Sequence, residues 1–300
     1  MTRRVPLLGE PTGETPLFER IGIVGLGLIG GSLALAARRR WPRSLVIGVD
    51  RNDVLERAMV RHATDVAADD LGMLRECDLI VLAAPVRVNT RVLAELASYV
   101  PGSALITDVG STKRAVVDAA RALPARLTFV GGHPLAGAAR SGIEHASPDI
   151  FAGRPWLLTP EGGSDGASLE RLAAFATAFG AVPRVLSPAA HDRLMAYLSH
   201  LPQLAASAMM HVIGEQIGEE GLTLSGRGLA DTTRLASSPA GVWQDICATS
   251  ADEIGPALDR LIATLQELRS GLTDEETVSR VFESAGAWRA RMLASEKSDR

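Results

Sequence analysis

The stretch from Ile21 to Asp50 constrains the fold more than any other part of the chain. An apolar run at 21–24 leads into GLGLIG at 25–30. A helical segment follows, and a second apolar run at 45–49 ends on Asp50. This order of strand, glycine turn, helix, strand and acid is typical of a dinucleotide-binding βαβ unit.

Each part of this stretch has a physical task. Gly25 permits the tight turn, Gly27 lets the backbone approach a pyrophosphate, and Gly30 lets helix and strand pack closely. The N–H groups at the start of the helix attract phosphates. Asp50 is placed to accept hydrogen bonds from the adenosine ribose and to repel a 2′-phosphate, which favours NAD over NADP. The alternative is a glycine-rich turn without a ligand.

Strand and helix patterns alternate from the glycine turn to about residue 187. The apolar run at 78–85 is typical of a buried parallel strand, and its end should border the cofactor because ligands lie at the carboxyl ends of such strands. The predicted cofactor-binding residues are Gly25, Gly27, Leu28, Ile29, Gly30, Asp50, Arg51, Ala84 and Pro85.

The pattern predicts an α/β fold with an N-terminal Rossmann-type domain, whose sheet is doubly wound and mostly parallel, followed by an all-helical C-terminal domain. We place the domains at 19–187 and 188–296, after a loose leader at 1–18. In the second domain, Pro202 interrupts a long helix by removing a donor for the Leu198 carbonyl. An apolar seam at helical spacing forms either an intrachain core or a dimer contact; its residues are Ile254, Leu258, Leu261, Leu265, Leu268 and Leu272.

Composition and charge argue against several classes of protein. A net charge of −4 without a basic stripe gives nucleic-acid binding little support. The two cysteines have no metal or redox spacing and fit a reducing compartment. Residues 21–37 carry no charge and could pass for a signal peptide, but they contain the glycine turn and precede a second strand. We therefore expect a cytoplasmic protein without a membrane span or a metal.

Two predicted strand ends carry reactive side chains. Ser111 follows the strand predicted at 104–108, where it could hydrogen-bond a substrate hydroxyl or the nicotinamide, or cap the next helix. His133 lies in GGHPLAG at 131–137, directly after a strand predicted at 127–130 and beside the predicted nucleotide site. Its pKa near neutrality suits proton transfer, so we predict a catalytic role.

The helical part adds further candidates. His200 and Gln203 are three residues apart and share a helix face beside Pro202. Arg234 is suited to hold a substrate carboxylate, with Trp243 nearby in the sequence, although a surface ion pair is the simpler alternative.

With these residues in view, the chain resembles the prephenate and arogenate dehydrogenases of tyrosine biosynthesis. The resemblance covers roughly residues 20–250, and several motifs carry it: GLGLIGGS at 25–32, DVGSTK at 108–113, GGHPLAG at 131–137, HD at 191–192, SHLP at 199–202 and DTTRLASS at 231–238.

The resemblance implies an NAD-dependent oxidative decarboxylation of prephenate to 4-hydroxyphenylpyruvate, by a homodimer joined through its helical domain. It implies that His133 and Ser111 contact the ring hydroxyl, that His200 is a second active-site histidine, and that Arg234 holds a substrate carboxylate. The family often has histidine where Gln203 stands. Gln203 is neutral, so it discriminates weakly between prephenate and arogenate, and a Gln203→Asp change should favour arogenate by about tenfold.

Other functions compete with this one. An arogenate or dual-substrate cyclohexadienyl dehydrogenase is the nearest. A β-hydroxyacid dehydrogenase also joins a Rossmann domain to helices, but members of that family use a lysine on the helical domain, and this chain has no lysine from 114 to 296. In a non-catalytic NAD-binding sensor, the histidine, serine and arginine would be incidental.

Overall fold

The computed structural model describes residues 15–137, 141–161 and 166–298. Within them the strands are β1 Arg20–Val24, β2 Leu45–Val49, β3 Val66–Ala68, β4 Leu79–Leu82, β5 Ala104–Asp108, β6 Leu127–Pro134, β7 Pro155–Thr159 and β8 Val182–Val185. The α-helices are α1 Leu28–Arg40, α2 Asn52–Val60, α3 Val86–Tyr99, α4 Arg114–Ala120, α5 Gly166–Ala178, α6 Pro188–Met195, α7 Leu201–Leu222, α8 Arg227–Thr233, α9 Ala240–Ser270 and α10 Glu275–Ser298.

All eight strands form one sheet in the order β3-β2-β1-β4-β5-β6-β7-β8. Every described pairing is parallel except that of β6 with β7. The strand order reverses between β1 and β4, so a crevice opens where these two strands end. The predicted doubly wound, mostly parallel sheet followed by helices is confirmed.

The core lies on both faces of this sheet. On β4, Leu79 and Val81 belong to one apolar cluster, and Ile80 and Leu82 to the other. Successive side chains of a strand point to opposite faces, so a strand with helices on both sides is apolar throughout. Residues of α1 and α5 cover the first face, and residues of α3 and α4 cover the second.

Two predicted boundaries differ from the structure. Phe18, a residue of the predicted leader, is fully buried and packs against Phe175, with ring centroids 5.7 Å apart. Residues 1–14 of that leader lie outside the described residues. The strand predicted to end at residue 130 continues as β6 through Pro134, because Gly131–Pro134 pair antiparallel with β7. His133 is therefore held inside a strand.

The helical segment begins with α6 and continues through a π-helical turn, Ala196–His200, into α7. Pro202 has no N–H for the Leu198 carbonyl, and the helix widens directly before it. No helix in the described ranges has the length and apolarity that crossing a membrane requires.

The chain divides into two compact units, Met1–Ala251 and Asp252–Arg300. The domain boundary predicted at 187–188 coincides with the change from strands to helices, and it stays a prediction. The second unit contains the end of α9 and all of α10. Along the apolar seam Ile254 is buried, whereas Leu265 and Leu272 are 55% and 72% exposed.

Candidate active site

The glycine turn joins β1 to α1 at the crevice. Gly25 has a φ of +94°, and a Cβ there would lie 2.6 Å from the Ala84 amide nitrogen after β4. A Cβ on Gly30 would lie 1.9 Å from the Gly25 carbonyl oxygen. Around Gly27, by contrast, a Cβ would meet no described atom within 4 Å. The turn is thus closed toward the protein and open toward the crevice at Gly27, which suits a pyrophosphate.

Asp50 is fixed at the end of β2 by the backbone. Its Oδ2 accepts a hydrogen bond from the Leu26 N–H at 2.6 Å, and its Oδ1 accepts one from the Arg51 N–H at 2.7 Å. Each carboxylate oxygen keeps a lone pair for a ribose hydroxyl. A cavity of about 960 Å³ is lined by Gly25, Gly27, Asp50, Arg51, Ala84 and Pro85, among other residues. The size of this cavity and the carboxylate acceptors of Asp50 fit the dinucleotide NAD.

A second cavity, of about 670 Å³, adjoins the same turn. Its lining includes Gly27, Leu28, Ile29, Ala84, Pro85, Ser111 and Trp243. Predicted cofactor residues therefore line this cavity together with two of the predicted catalytic and substrate-binding residues. Ser111 does not cap α4, because this helix begins later, at Arg114, after an N-cap at Lys113.

A buried ion pair connects the end of β5 and the segment after it to β6. The Lys113 ammonium and the Asp108 carboxylate are both fully buried and hydrogen-bonded to each other. Lys113 Nζ also donates to the Gly132 carbonyl at 2.8 Å, and Asp108 Oδ1 accepts from the Gly132 N–H at 3.1 Å. Together these contacts fix the backbone of the residue that precedes His133.

His133 begins a chain of three side chains. Its Nδ1 lies 2.8 Å from Nε2 of His191, and Nδ1 of His191 lies 2.8 Å from Oδ1 of Asp192. Asp192 also accepts the backbone N–H of Lys113 at 2.7 Å and that of Arg114 at 3.0 Å. The carboxylate therefore caps the start of α4 from α6.

The surroundings keep the histidines neutral. Burial, the His191 ring and the Lys113 ammonium lower the pKa of His133 well below its ordinary value. Burial lowers the pKa of His191 as well, although the hydrogen bond to Asp192 opposes this. Burial alone would raise the pKa of Asp192, but the hydrogen bonds from His191, Arg114 and Lys113 hold it below its ordinary value. At neutral pH His133 is therefore a neutral base, and Asp192, which is linked to it through His191, is ionised.

His200 lies in the π-helical turn and is fully buried. Its ring meets the Trp243 ring edge-on, with centroids 6.0 Å apart. Among the described residues, neither ring nitrogen of His200 has a hydrogen-bond partner. Burial lowers its pKa to about 4. His200 is thus a neutral imidazole whose two nitrogens form no hydrogen bond with the described residues.

Gln203 is buried, and its amide joins α7 to the segment that carries Arg234. Its Nε2 donates to the Leu235 carbonyl at 2.7 Å and to Ser207 Oγ at 3.1 Å, and its Oε1 accepts from Ser238 Oγ at 3.0 Å. Arg234 itself is exposed on the 3₁₀ turn Arg234–Ser237. Within the described part of the chain it forms no ion pair, so the structure gives no support to the surface-pair alternative.

The sequence predictions found part of this arrangement and missed part of it. Ser111 and Trp243 line one cavity, and His200 contacts Trp243. No described contact joins Arg234 to His133. Sequence reasoning missed His191, Asp192, Asp108 and Lys113; the HD pair at 191–192 and the isolated lysine were the available signals. The described residues contain no cluster of histidine, cysteine or acidic side chains suited to a metal.

Family models and curated relatives match most of this chain. The family model described as "Prephenate dehydrogenase, nucleotide-binding domain" matches residues 33–185, and "Prephenate dehydrogenase, dimerization domain" matches residues 187–283. The prephenate dehydrogenase of Bacillus subtilis (strain 168) is 34% identical over 287 residues, which cover 93% of this chain and 77% of that protein. The cyclohexadienyl dehydrogenase of Zymomonas mobilis is 31% identical, over 87% of this chain and 90% of that protein.

A solved structure is similar over nearly the whole chain. The prephenate dehydrogenase from A. aeolicus, in complex with hydroxyphenyl propionate and NAD⁺, has a TM-score of 0.83 and 28% sequence identity. The similarity covers 91% of this chain and 98% of that one.

Proposed function

The chain belongs to the prephenate dehydrogenase family and is an NAD-dependent oxidoreductase, and we propose that it converts prephenate to 4-hydroxyphenylpyruvate for tyrosine synthesis. One observation carries this proposal. His133, a neutral base, follows the parallel part of β6, at the carboxyl ends of the strands, where the glycine turn follows β1 and Ser111 follows β5. A reaction that removes a hydroxyl proton as hydride leaves the same carbon needs a base in this place.

In the proposed reaction the protein mainly orients the substrate and moves one proton. Bound NAD⁺ supplies the acceptor for the hydride that leaves C4 of the prephenate ring. His133 takes the proton of the C4 hydroxyl, and Ser111 hydrogen-bonds the same oxygen. Loss of CO₂ from C1 makes the ring aromatic, and the proton returns to the phenolic oxygen. Because aromatisation drives the reaction, positioning and one base suffice.

Arg234 and His200 complete the proposed site. The Arg234 guanidinium, which has no ionic partner in the described part of the chain, holds a substrate carboxylate through paired N–H groups. The neutral His200 ring, backed by Trp243, provides a further contact for the substrate. We retain Gln203 as a substrate-side residue, acting through the turn that it holds.

We propose that prephenate is modestly preferred and that arogenate is also accepted. The two substrates differ in one side-chain group, which is a keto group in prephenate and an ammonium in arogenate. Among the described residues that line the 670 Å³ cavity, the acidic residue is Asp245. Its Oδ1 accepts a hydrogen bond from Arg87 Nε at 2.8 Å, so its charge is already paired. The name of the Z. mobilis relative, cyclohexadienyl dehydrogenase, supports dual use.

The Gln203→Asp shift toward arogenate, about tenfold, remains part of this proposal. An aspartate there would lose the donor to the Leu235 carbonyl, so the variant should also bind both substrates less tightly.

We further propose that the protein is a homodimer joined through its helical segment. In the second unit Leu265, Leu272, Phe282 and Trp288 are each more than half exposed in the single chain. Four large apolar side chains exposed between residues 265 and 288 are consistent with a protein interface. The description of the matching family model as a dimerization domain supports the same proposal.

The substrate assignment is tested by steady-state kinetics of the purified protein with NAD⁺. NADH formation is followed separately with prephenate and with arogenate, and kcat/KM is compared. We expect both substrates to give NADH, with prephenate the better one. Use of arogenate alone, or of neither substrate, would contradict the assignment.

A further inference from the structure

The HD pair at 191–192 has no part in the reaction as described so far, yet both side chains are fully buried next to the catalytic base. Two hydrogen bonds of 2.8 Å connect His133 to Asp192 through His191. A buried histidine and a buried carboxylate that serve only packing are uncommon, because each must be paired to offset the loss of hydration. The direction of these hydrogen bonds determines what they do to His133.

The direction follows from Asp192. Its carboxylate accepts two backbone N–H groups at the start of α4, from Lys113 at 2.7 Å and from Arg114 at 3.0 Å. Arg114 Nε lies 3.3 Å from the same carboxylate. A carboxylate surrounded by donors in this way is ionised, and an ionised carboxylate can only accept. Nδ1 of His191 must therefore carry the hydrogen that it shares with Asp192.

The next hydrogen bond is then determined as well. A neutral imidazole has one donor and one acceptor nitrogen, so Nε2 of His191 is the acceptor. Nδ1 of His133, at 2.8 Å, must be the donor. The charged and titratable groups around the two rings are Lys113, His200 and the carboxylates of Asp108 and Asp192. Lys113 and burial both disfavour a second proton on either ring, so the neutral assignment holds for both histidines.

We propose that His191 and Asp192 are positioning residues that hold His133 in the Nδ1–H tautomer, so that its Nε2 carries the lone pair that receives the substrate proton. This inference rests on the proposed function for the identity of the proton donor. In the reaction the substrate O–H bond breaks and a bond from Nε2 to that hydrogen forms. The resulting imidazolium donates from Nδ1 to His191, which in turn donates to the negative Asp192, so the new charge is stabilised.

The tautomer is measured directly by NMR of the full-length protein with ¹⁵N-labelled histidine. The chain has six histidines, which keeps the spectrum simple, and the His133→Asn spectrum assigns the His133 signals. At neutral pH we expect a protonated Nδ1 and an unprotonated Nε2 on His133. His191→Phe removes the acceptor, and His133 should shift toward the Nε2–H form. In His191→Gln the amide oxygen can accept in place of Nε2, so the Nδ1–H form should persist.

Kinetics of the same variants supply a second readout. We expect His191→Phe to lower kcat by about 10²-fold, the usual loss for a misplaced reacting group, with little change in KM. His191→Gln should restore most of kcat. His211→Gln is the matched control, because His211 is exposed on α7 and should leave both the tautomer and kcat unchanged.

The outcomes separate this inference from the proposed function. A His133 that carries its hydrogen on Nε2 in the wild-type protein overturns the inference, even if prephenate is oxidised. A His191→Phe protein whose His133 keeps the Nδ1–H form overturns it too. Failure to form NADH from prephenate, with the Nδ1–H tautomer present, counts against the proposed function alone. If His191→Phe does not fold, the wild-type and His191→Gln spectra still decide the question.

Discussion

At the scale of single residues, burial of neutral histidines links the site to stability. His200 is fully buried, and its pKa is lowered to about 4 from an ordinary value of 6.5. In the unfolded chain the same ring takes up a proton as the pH falls through 6.5. The unfolded state therefore binds more protons than the folded state between pH 6.5 and about 4, and acid destabilises the fold in that window.

We expect the His200 ring alone to cost about 3 kcal/mol of unfolding free energy between pH 6.5 and pH 4, at roughly 1.4 kcal/mol per pKa unit. The neutral His200 ring contributes its full stabilisation above pH 6.5, and this contribution is lost progressively as the pH falls from 6.5 to about 4. Urea unfolding at several pH values measures this effect. His200→Gln, which cannot take up a proton, should show a shallower decline. Parallel declines for the two proteins would show that His200 does not stay neutral in the folded state.

At the scale of elements, the Gln203 side chain connects α7 to the 3₁₀ turn Arg234–Ser237 by a hydrogen bond. Gln203 has both amide hydrogens on protein acceptors, and one of these is the Leu235 carbonyl next to Arg234. Gln203 therefore holds the backbone next to Arg234, the residue proposed to bind the substrate carboxylate.

We expect Gln203→Ala to raise KM for prephenate in the same direction as Arg234→Gln, although alanine removes no charge. Arg234→Gln should cost roughly 1.5–3 kcal/mol of binding, the value of a lost charge-assisted contact. Gln203→Ala should cost part of that, because the turn loses its anchor. The measurement is KM with saturating NAD⁺. Ser237→Ala is the control, since the described hydrogen bond of that hydroxyl, to the Arg234 carbonyl, lies within the turn. Equal KM values for Gln203→Ala and the wild type would separate Gln203 from Arg234.

The same elements show how far the sequence could predict the site. The glycine turn and Asp50 were predictable because their spacing along the chain determines their spacing in the fold. His133 was predictable as a residue at the end of the parallel part of a strand. Asp192 was not, because it caps α4 from a helix that begins far along the chain, and helical periodicity does not specify such a contact. For the same reason local pattern left a helix cap at Ser111 as an alternative, whereas the helix starts at Arg114.

At the scale of the whole molecule, strand order accounts for the position of the chemistry. The reversal between β1 and β4 opens the crevice, and β5 and β6 add Ser111 and His133 along the same edge. The alternation of strands and helices predicted this sheet, whereas the antiparallel β7 and the burial of Phe18 depend on packing that the pattern does not encode. The topology therefore brings the strand ends that carry the glycine turn, Ser111 and His133, the proposed base, to the same side of the sheet.

The central claim is that the protein performs an NAD-dependent oxidative decarboxylation with His133 as the base. Measuring NADH and CO₂ together from prephenate tests it most directly. The account predicts equal amounts of the two products for each prephenate consumed. It predicts that His133→Asn lowers kcat by about 10²- to 10⁴-fold while NAD⁺ binding is retained. NADH without CO₂, neither product from the wild-type protein, or a normal kcat in His133→Asn would contradict it.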